Sequence, residues 1–221
     1  MAEIKKYLWL NPVIELTLGK EYSSMVRRIE GWGYNLVNFP SALMLVKEAY
    51  RKQYLENKPS LLIDSRCPKV VELVKEEYQQ LISYLAPIEP ILTTCAQGLY
   101  EEYIKPNPLS ARLIMVTPCT DFVAYGAKKL PGQVRFITWK DFLREIDERS
   151  SFSRSVISPV PLGFFDGMGI PVVKVSGAKE ITSLLAATIP KTDSGYILEI
   201  LYCPQGCHNG DGFHDSCGEA D

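Results

Sequence analysis

The sequence predicts an α/β fold made of two lobes, with mainly parallel sheets flanked by helices. Strand-like runs alternate with segments of helical periodicity along the chain, and parallel strands need helical crossovers of this kind. The run LLI at residues 61–63 is too apolar for a half-exposed strand and is typical of the interior of a parallel sheet. We expect an N-terminal lobe over residues 1–121 and a C-terminal lobe over residues 122–221.

The elements of the first lobe are predicted from periodicity and from residues that begin or end helices. Gly31 and Gly33 end the first helix, and Ser41 is suited to cap the second. Pro68 fits the first position of the third helix. Strands are predicted over residues 12–18, 34–39, 61–63 and 112–116, and helices over residues 23–30, 41–55, 69–85 and 91–104.

The second lobe repeats the alternation after a loop rich in serine and proline at residues 150–169. Within that loop, Phe164 and Phe165 are predicted to pack over the edge of a core rather than to bind a ligand. Strands are predicted over residues 134–138, 171–175 and 196–202, and helices over residues 140–149 and 178–188.

Composition excludes several classes of function. A net charge of −2 and a pI near 5.8 provide no basic surface for nucleic acid or for a membrane. No apolar run approaches the roughly 20 residues of a spanning helix, and the first residues do not resemble a signal peptide. We therefore expect a cytoplasmic protein, in which the six cysteines are more suited to ligation or catalysis than to disulfides.

Four cysteines directly follow predicted strands. Cys67 and Cys119 each follow one, and Cys203 and Cys207 form a close pair after the last strand. Because α/β sheets place ligands beyond the carboxyl ends of their strands, these thiols are predicted to form one metal site. Helix N-termini after Cys67 and Cys119 are expected to lower the thiol pKa, and glycines after Cys207 are expected to give a bulky group room.

Two alternative roles for these cysteines stay open. They could be buried structural residues, or they could bind a single zinc ion. Zinc ribbons usually have two Cys-x₂-Cys pairs, whereas this chain has one close pair with three intervening residues, which favours a cubane iron–sulfur cluster. Cys95 is predicted to lie in a core. Cys217, His208 and His214 are left without an assigned role, and a solvated loop is the default for the histidines.

Three motifs in the same order resemble those of the C-terminal domain of the iron-only ([FeFe]) hydrogenase large subunit. The motifs of that family are TSCCPxW, MPCxxKxxE and ExMACxGGCxxGGGxP. The corresponding segments here are DSRCP at residues 64–68, TPC at residues 117–119 and EILYCPQGCHNGDG at residues 199–212. The segments at residues 12–22 and 170–185 also resemble the first strand and the last strand and helix of the family.

The resemblance implies a [4Fe–4S] cluster in the cleft between the two lobes, held by Cys67, Cys119, Cys203 and Cys207. In active family members the cysteine that matches Cys207 also bridges to a two-iron subcluster, where hydrogen is made or split. The departures from the family lie around that subcluster. Arg66 replaces a proton-relaying cysteine, Phe122 replaces a lysine that anchors cyanide, and Thr117, Leu201 and Val70 replace two methionines and a tryptophan.

These departures favour an iron-only hydrogenase-like protein that uses one [4Fe–4S] cluster for electron transfer or redox sensing, without hydrogen turnover. Such a protein would work with a redox partner, a ferredoxin-like domain or subunit, and not with nucleic acid or a membrane. Two alternatives stay open: a divergent active hydrogenase, and an iron–sulfur assembly or regulatory protein. Arg66 is either a permanently charged group near the catalytic iron position or a surface residue with its head in water.

Overall fold

The computed structural model describes residues 4–148, 158–188 and 195–213. Its strands are β1 (Lys5–Trp9), β2 (Tyr34–Leu36), β3 (Leu61–Ile63), β4 (Ala111–Thr117), β5 (Val134–Thr138), β6 (Val172–Ser176) and β7 (Tyr196–Leu201). Its helices are α1 (Pro12–Leu18), α2 (Tyr22–Gly31), α3 (Ala42–Asn57), α4 (Pro68–Glu77), α5 (Ile91–Leu99), α6 (Thr120–Lys129), α7 (Trp139–Glu145) and α8 (Ala178–Ala187).

Two parallel sheets organise the described residues. One has the order β2-β1-β4-β5 and the other has the order β3-β7-β6. Every pair of neighbouring strands is parallel, and each pair is joined through segments that contain helices. The predicted α/β class with parallel sheets flanked by helices is confirmed.

The sheets do not follow the order of the chain. β3 pairs with β7, so residues 61–63 belong to the sheet formed with strands near the carboxyl end. β5 pairs with β4, so residues 134–138 belong to the first sheet. The predicted boundary at residue 121 therefore does not separate the two sheets, because parallel pairing is decided by long-range packing.

One predicted element is wrong. Residues 12–18 form the helix α1 instead of a strand, and the first strand is β1. The side chain of Asn11 caps α1 by accepting a hydrogen bond from the backbone N–H of Val13, and Pro12 occupies the first turn. This capping and the proline at the first position favour a helix over the strand that the β-branched residues suggested.

Apolar side chains cover both faces of each sheet. Along β4, Ile114 and Val116 pack in one core cluster, whereas Leu113 and Met115 pack in another on the opposite face. Along β3, Leu61 and Ile63 likewise face a different cluster from Leu62. Buried strands of this kind fix the strand ends rigidly, and the cysteines follow those ends.

Among the described residues, no helix combines the length and the apolar character that crossing a membrane requires.

Candidate metal centre

The four predicted ligands lie at strand ends that the fold brings together. Cys67 follows β3 and precedes the first turn of α4, and Cys119 follows β4 and precedes α6. Cys203 and Cys207 follow β7, which is hydrogen-bonded to β3 in the three-stranded sheet. The site is thus assembled from one strand end of the first sheet and two strand ends of the second.

All four cysteines border one cavity of about 250 Å³. We call it the cysteine cavity. Its wall also contains Lys69, Phe122, Tyr202 and Asp211. Among the described residues, no group of three or more His, Cys, Asp or Glu side chains is close enough to hold a single metal ion. The four thiols share the wall of this cavity.

Burial governs the acidity of the thiols in this cavity. It raises the pKa of Cys67, although backbone N–H groups of Tyr202 and Val70 partly offset the effect. Burial also raises the pKa of Cys119 well above its ordinary value, and the nearby thiols of Cys207 and Cys67 add to it. The N–H groups at the N-termini of α4 and α6 lower the thiol pKa as expected, but desolvation outweighs them and the pKa of both thiols is raised. Thiolates at this site need a cationic group beside them.

The loop after β7 packs backbone against backbone on the turn that carries Cys119. The N–H of Gly212 donates a hydrogen bond to the Pro118 carbonyl at 3.0 Å. A Cβ atom at Gly210 or Gly212 would overlap that carbonyl group. Asp211 adds a second tie, since its carboxylate accepts hydrogen bonds from the N–H and the hydroxyl of Thr120 at 2.9 and 2.6 Å. The glycines thus allow close approach of two ligand-bearing segments.

Arg66 is buried, so of the two alternatives for this residue, the surface residue with its head in water is excluded. Its Nε and Nη2 atoms donate to Asp64, and Nη2 also donates to Glu199 at 2.8 Å. Both carboxylates are fully buried. Burial alone would lower the pKa of Arg66, but Asp64 and Glu199 outweigh it and keep the guanidinium charged. Arg66, Asp64 and Glu199, which we call the Arg66 network, link the end of β3 to the interior of β7.

Sequence reasoning missed the role of Asp64 and Glu199. Glu199 lies within β7 and accepts hydrogen bonds from the backbone N–H groups of Gly163 and Phe164 as well as from Arg66. The available signal was an acidic residue inside an otherwise apolar strand, which must find buried partners. Phe164 and Phe165 are buried in a core cluster, as predicted, and their rings also cover Arg66, with centroids 4.2 and 4.7 Å from its guanidinium carbon.

A second cavity of about 220 Å³, mostly apolar, lies next to the first. We call it the Arg66 cavity. Arg66, Phe122, Leu201 and Cys207 border it, and all of these except Arg66 also border the cysteine cavity. Three of the four are positions at which the chain departs from the resembling family. Thr117, another such position, is buried and donates from its hydroxyl to the Cys119 carbonyl at 2.9 Å, and Val70 lies in a core cluster.

The remaining cysteines and histidines of the sequence are not among the proposed ligands. Cys95 is buried in a core cluster, as predicted, and burial raises its pKa to about 12. It borders the Arg66 cavity but is absent from the wall of the cysteine cavity. His208 is buried in a short 3₁₀ turn, so its prediction as a solvated loop residue is wrong. His214 and Cys217 lie outside the described residues.

Comparisons with known proteins found a family model that matches part of the sequence and solved structures that share the fold. The family model "Iron only hydrogenase large subunit, C-terminal domain" matches residues 23–128. No curated protein matches the chain. A solved structure of HydA(deltaEFG), described as revealing stepwise [FeFe]-hydrogenase H-cluster assembly, is similar with a TM-score of 0.67 at 12% identity, covering 98% of this chain and 81% of that one.

Another similar structure is the apo [FeFe]-hydrogenase HydA1 from Chlamydomonas reinhardtii. Its TM-score is 0.64 at 13% identity, and the alignment covers 98% of this chain and 81% of that chain. At such identity the likeness establishes the fold alone, and the family model matches slightly less than half of the chain.

Proposed function

We propose that this chain, a divergent relative of the C-terminal domain of the iron-only hydrogenase large subunit, holds one [4Fe–4S] cluster and uses it for electron transfer or redox sensing. The proposed ligands are Cys67, Cys119, Cys203 and Cys207. The observation that carries the proposal is that three separate strand ends deliver all four thiols to the wall of one cavity. A redox partner, a ferredoxin-like domain or subunit, would exchange electrons with the cluster.

The volume of the cavity that the thiols border favours a cluster over a single zinc ion. Tetrahedral zinc with bonds of about 2.3 Å requires its sulfur ligands to lie within about 3.8 Å of one another. The four thiols border a cavity of about 250 Å³, which is more space than one ion with such bonds needs. A cubane spreads its cysteines over four irons, so this wider arrangement fits it better.

The chain supplies the surroundings that adjust such a cluster. The cluster itself would accept and release one electron. Backbone N–H groups of Tyr202 and Val70 point at the Cys67 sulfur, and hydrogen bonds to ligand sulfur raise a cluster's reduction potential. Lys69 borders the same cavity, but it lies 3.7 Å from Asp121, and both Asp121 and Asp211 also border the cavity, so these side chains give no net positive charge there. The hydrogen bonds to the Cys67 sulfur therefore favour the reduced state.

The residues around Cys207 support a role without hydrogen turnover. Phe122 places an apolar ring where the family has a lysine, and the ring borders both cavities. Arg66 is permanently charged and bound to two carboxylates, so it cannot release a proton near neutral pH.

One observation favours a second candidate, an active hydrogenase of divergent sequence. Cys207 borders the apolar Arg66 cavity as well as the cysteine cavity, so space is available next to the cysteine that bridges to the two-iron subcluster in active members. Infrared bands of carbon monoxide and cyanide after maturation would support this candidate.

Metal analysis tests the main proposal. Protein prepared without oxygen should be brown and contain iron and acid-labile sulfide in equal amounts, about four of each per chain. One equivalent of zinc without sulfide would contradict the proposal.

A further inference from the structure

The Arg66 cavity contains one charged group within an apolar wall. Trp9, Phe39, Leu92 and Phe122 form part of that wall, and Arg66 contributes to its polar part. The Arg66 side chain is only 4% exposed, although it borders the cavity. A buried charge at the edge of an apolar space has a strong effect on what can occupy that space.

Of the three guanidinium nitrogens of Arg66, Nε and Nη2 donate hydrogen bonds to described residues. Nε and Nη2 donate to Asp64 and Glu199, and the rings of Phe164 and Phe165 lie over the group. Nη1 makes no hydrogen bond to any residue in the described ranges. Its two N–H groups are therefore the part of Arg66 left to meet an occupant of the cavity.

The charge of the Arg66 network selects against ions. Arg66 contributes one positive charge, and the fully buried Asp64 and Glu199 contribute two negative charges. The network therefore disfavours an anion, even though an arginine lines the wall. A cation would meet the N–H groups and the apolar side chains. A neutral molecule with one hydrogen-bond acceptor satisfies Nη1 without either penalty.

We propose that the Arg66 cavity binds a small uncharged organic molecule that has an apolar body and a single hydrogen-bond acceptor, such as a nitrile or a ketone. The acceptor would lie against Nη1 of Arg66, and the body would lie against the apolar wall. The volume suits a ligand of about the size of benzene, since a dry cavity of about 150 Å³ accepts benzene in another protein and drug-sized ligands need about 300 Å³ or more.

Benzonitrile is a direct probe of this site, because its nitrile stretching frequency reports a hydrogen bond at the nitrogen. The protein is prepared without oxygen, and its iron and sulfide contents are measured first. We expect saturable binding, with a nitrile band at higher wavenumber than in an apolar solvent. Benzoate, which has a similar body and a negative charge, should bind at least tenfold more weakly.

Two variants separate recognition by Arg66 from simple filling of an apolar space. Arg66→Lys keeps a cation for Asp64 and Glu199 but removes the forked Nη1 edge, so benzonitrile affinity should fall about tenfold to a hundredfold and the band shift should disappear. Val160→Phe fills the cavity from a half-buried loop position and should abolish binding with Arg66 intact. The matched control is Val173→Phe, at an exposed position of β6 that should leave binding unchanged.

Three results would overturn the proposal: no saturable binding of benzonitrile to protein with its full iron content, binding without a band shift that is insensitive to Arg66→Lys, or tighter binding of benzoate. The iron and sulfide measurements keep this test separate from that of the cluster, because a chain without a cluster would fail those measurements first.

Discussion

At the scale of single residues, Arg66 is a buried cation on which two buried carboxylates depend. It pairs with two fully buried carboxylates, Asp64 directly after β3 and Glu199 within β7. Arg66→Met would leave both without a cation and should lower the free energy of unfolding by about 3–5 kcal/mol. Urea denaturation under anaerobic conditions measures the change.

The control for Arg66→Met is Arg51→Met. Arg51 pairs with Glu48 at 3.3 Å on the exposed face of α3, and its loss should cost less than about 1 kcal/mol. Equal effects of the two substitutions would show that the Arg66 network is not important for stability.

The cysteines give the second prediction at this scale. Replacing Cys67, Cys119, Cys203 or Cys207 by serine should each abolish or strongly reduce bound iron and lower the thermal unfolding temperature, because ligand binding energy is also folding energy. Cys95→Ser should keep its iron, since Cys95 does not border the cysteine cavity. Cys217→Ser should also keep it. Loss of iron in either control, with retention in one of the four, would refute the ligand set.

At the scale of elements, the loop after β7 must approach the turn between β4 and α6 closely. Gly210→Ala places a methyl group against the Pro118 carbonyl, next to Cys119. The two segments must then separate, so we expect iron content to fall severalfold. Gly132→Ala is the matched control, because nothing lies within 4 Å of a Cβ atom there. The iron content of both variants is the measurement. Full iron content in Gly210→Ala would show that close approach of the loop to the Cys119 turn is not needed for iron binding.

At the scale of the whole molecule, the cysteine cavity depends on both sheets. Cys119 is delivered by the first sheet, and Cys67 and Cys203 are delivered by the second. The Arg66 cavity lies beside it and leaves space next to Cys207. Phe122 and Arg66 border this space at the positions where the resembling family has a lysine and a proton-relaying cysteine.

We therefore predict no hydrogen evolution with reduced methyl viologen, even after maturation. An unpaired cyanide acceptor beside Phe122 would cost about 1–3 kcal/mol or more, and Arg66 cannot pass on protons. The control is Cys207→Ser, which should lack the cluster. Turnover above that control would support the active-hydrogenase candidate instead.

The sequence by itself determined the α/β class, most helices and strands, and the positions of four cysteines after three strands. These features depend on local patterns of apolar residues, glycine and proline, which act over a few neighbouring positions. The same local reasoning failed at residues 12–18, where a cap and a proline outweighed β-branched residues.

Only the tertiary structure decided which strands share a sheet, how Arg66 is buried and where the second cavity lies. β3 pairs with a strand more than 130 positions later in the chain, and Arg66 meets Glu199 across 133 positions. Such contacts depend on the packing of helices over both faces of each sheet. Local sequence patterns do not predict that packing, because the free energy that favours it comes from burying surfaces that are far apart in the sequence and meet only in the folded chain.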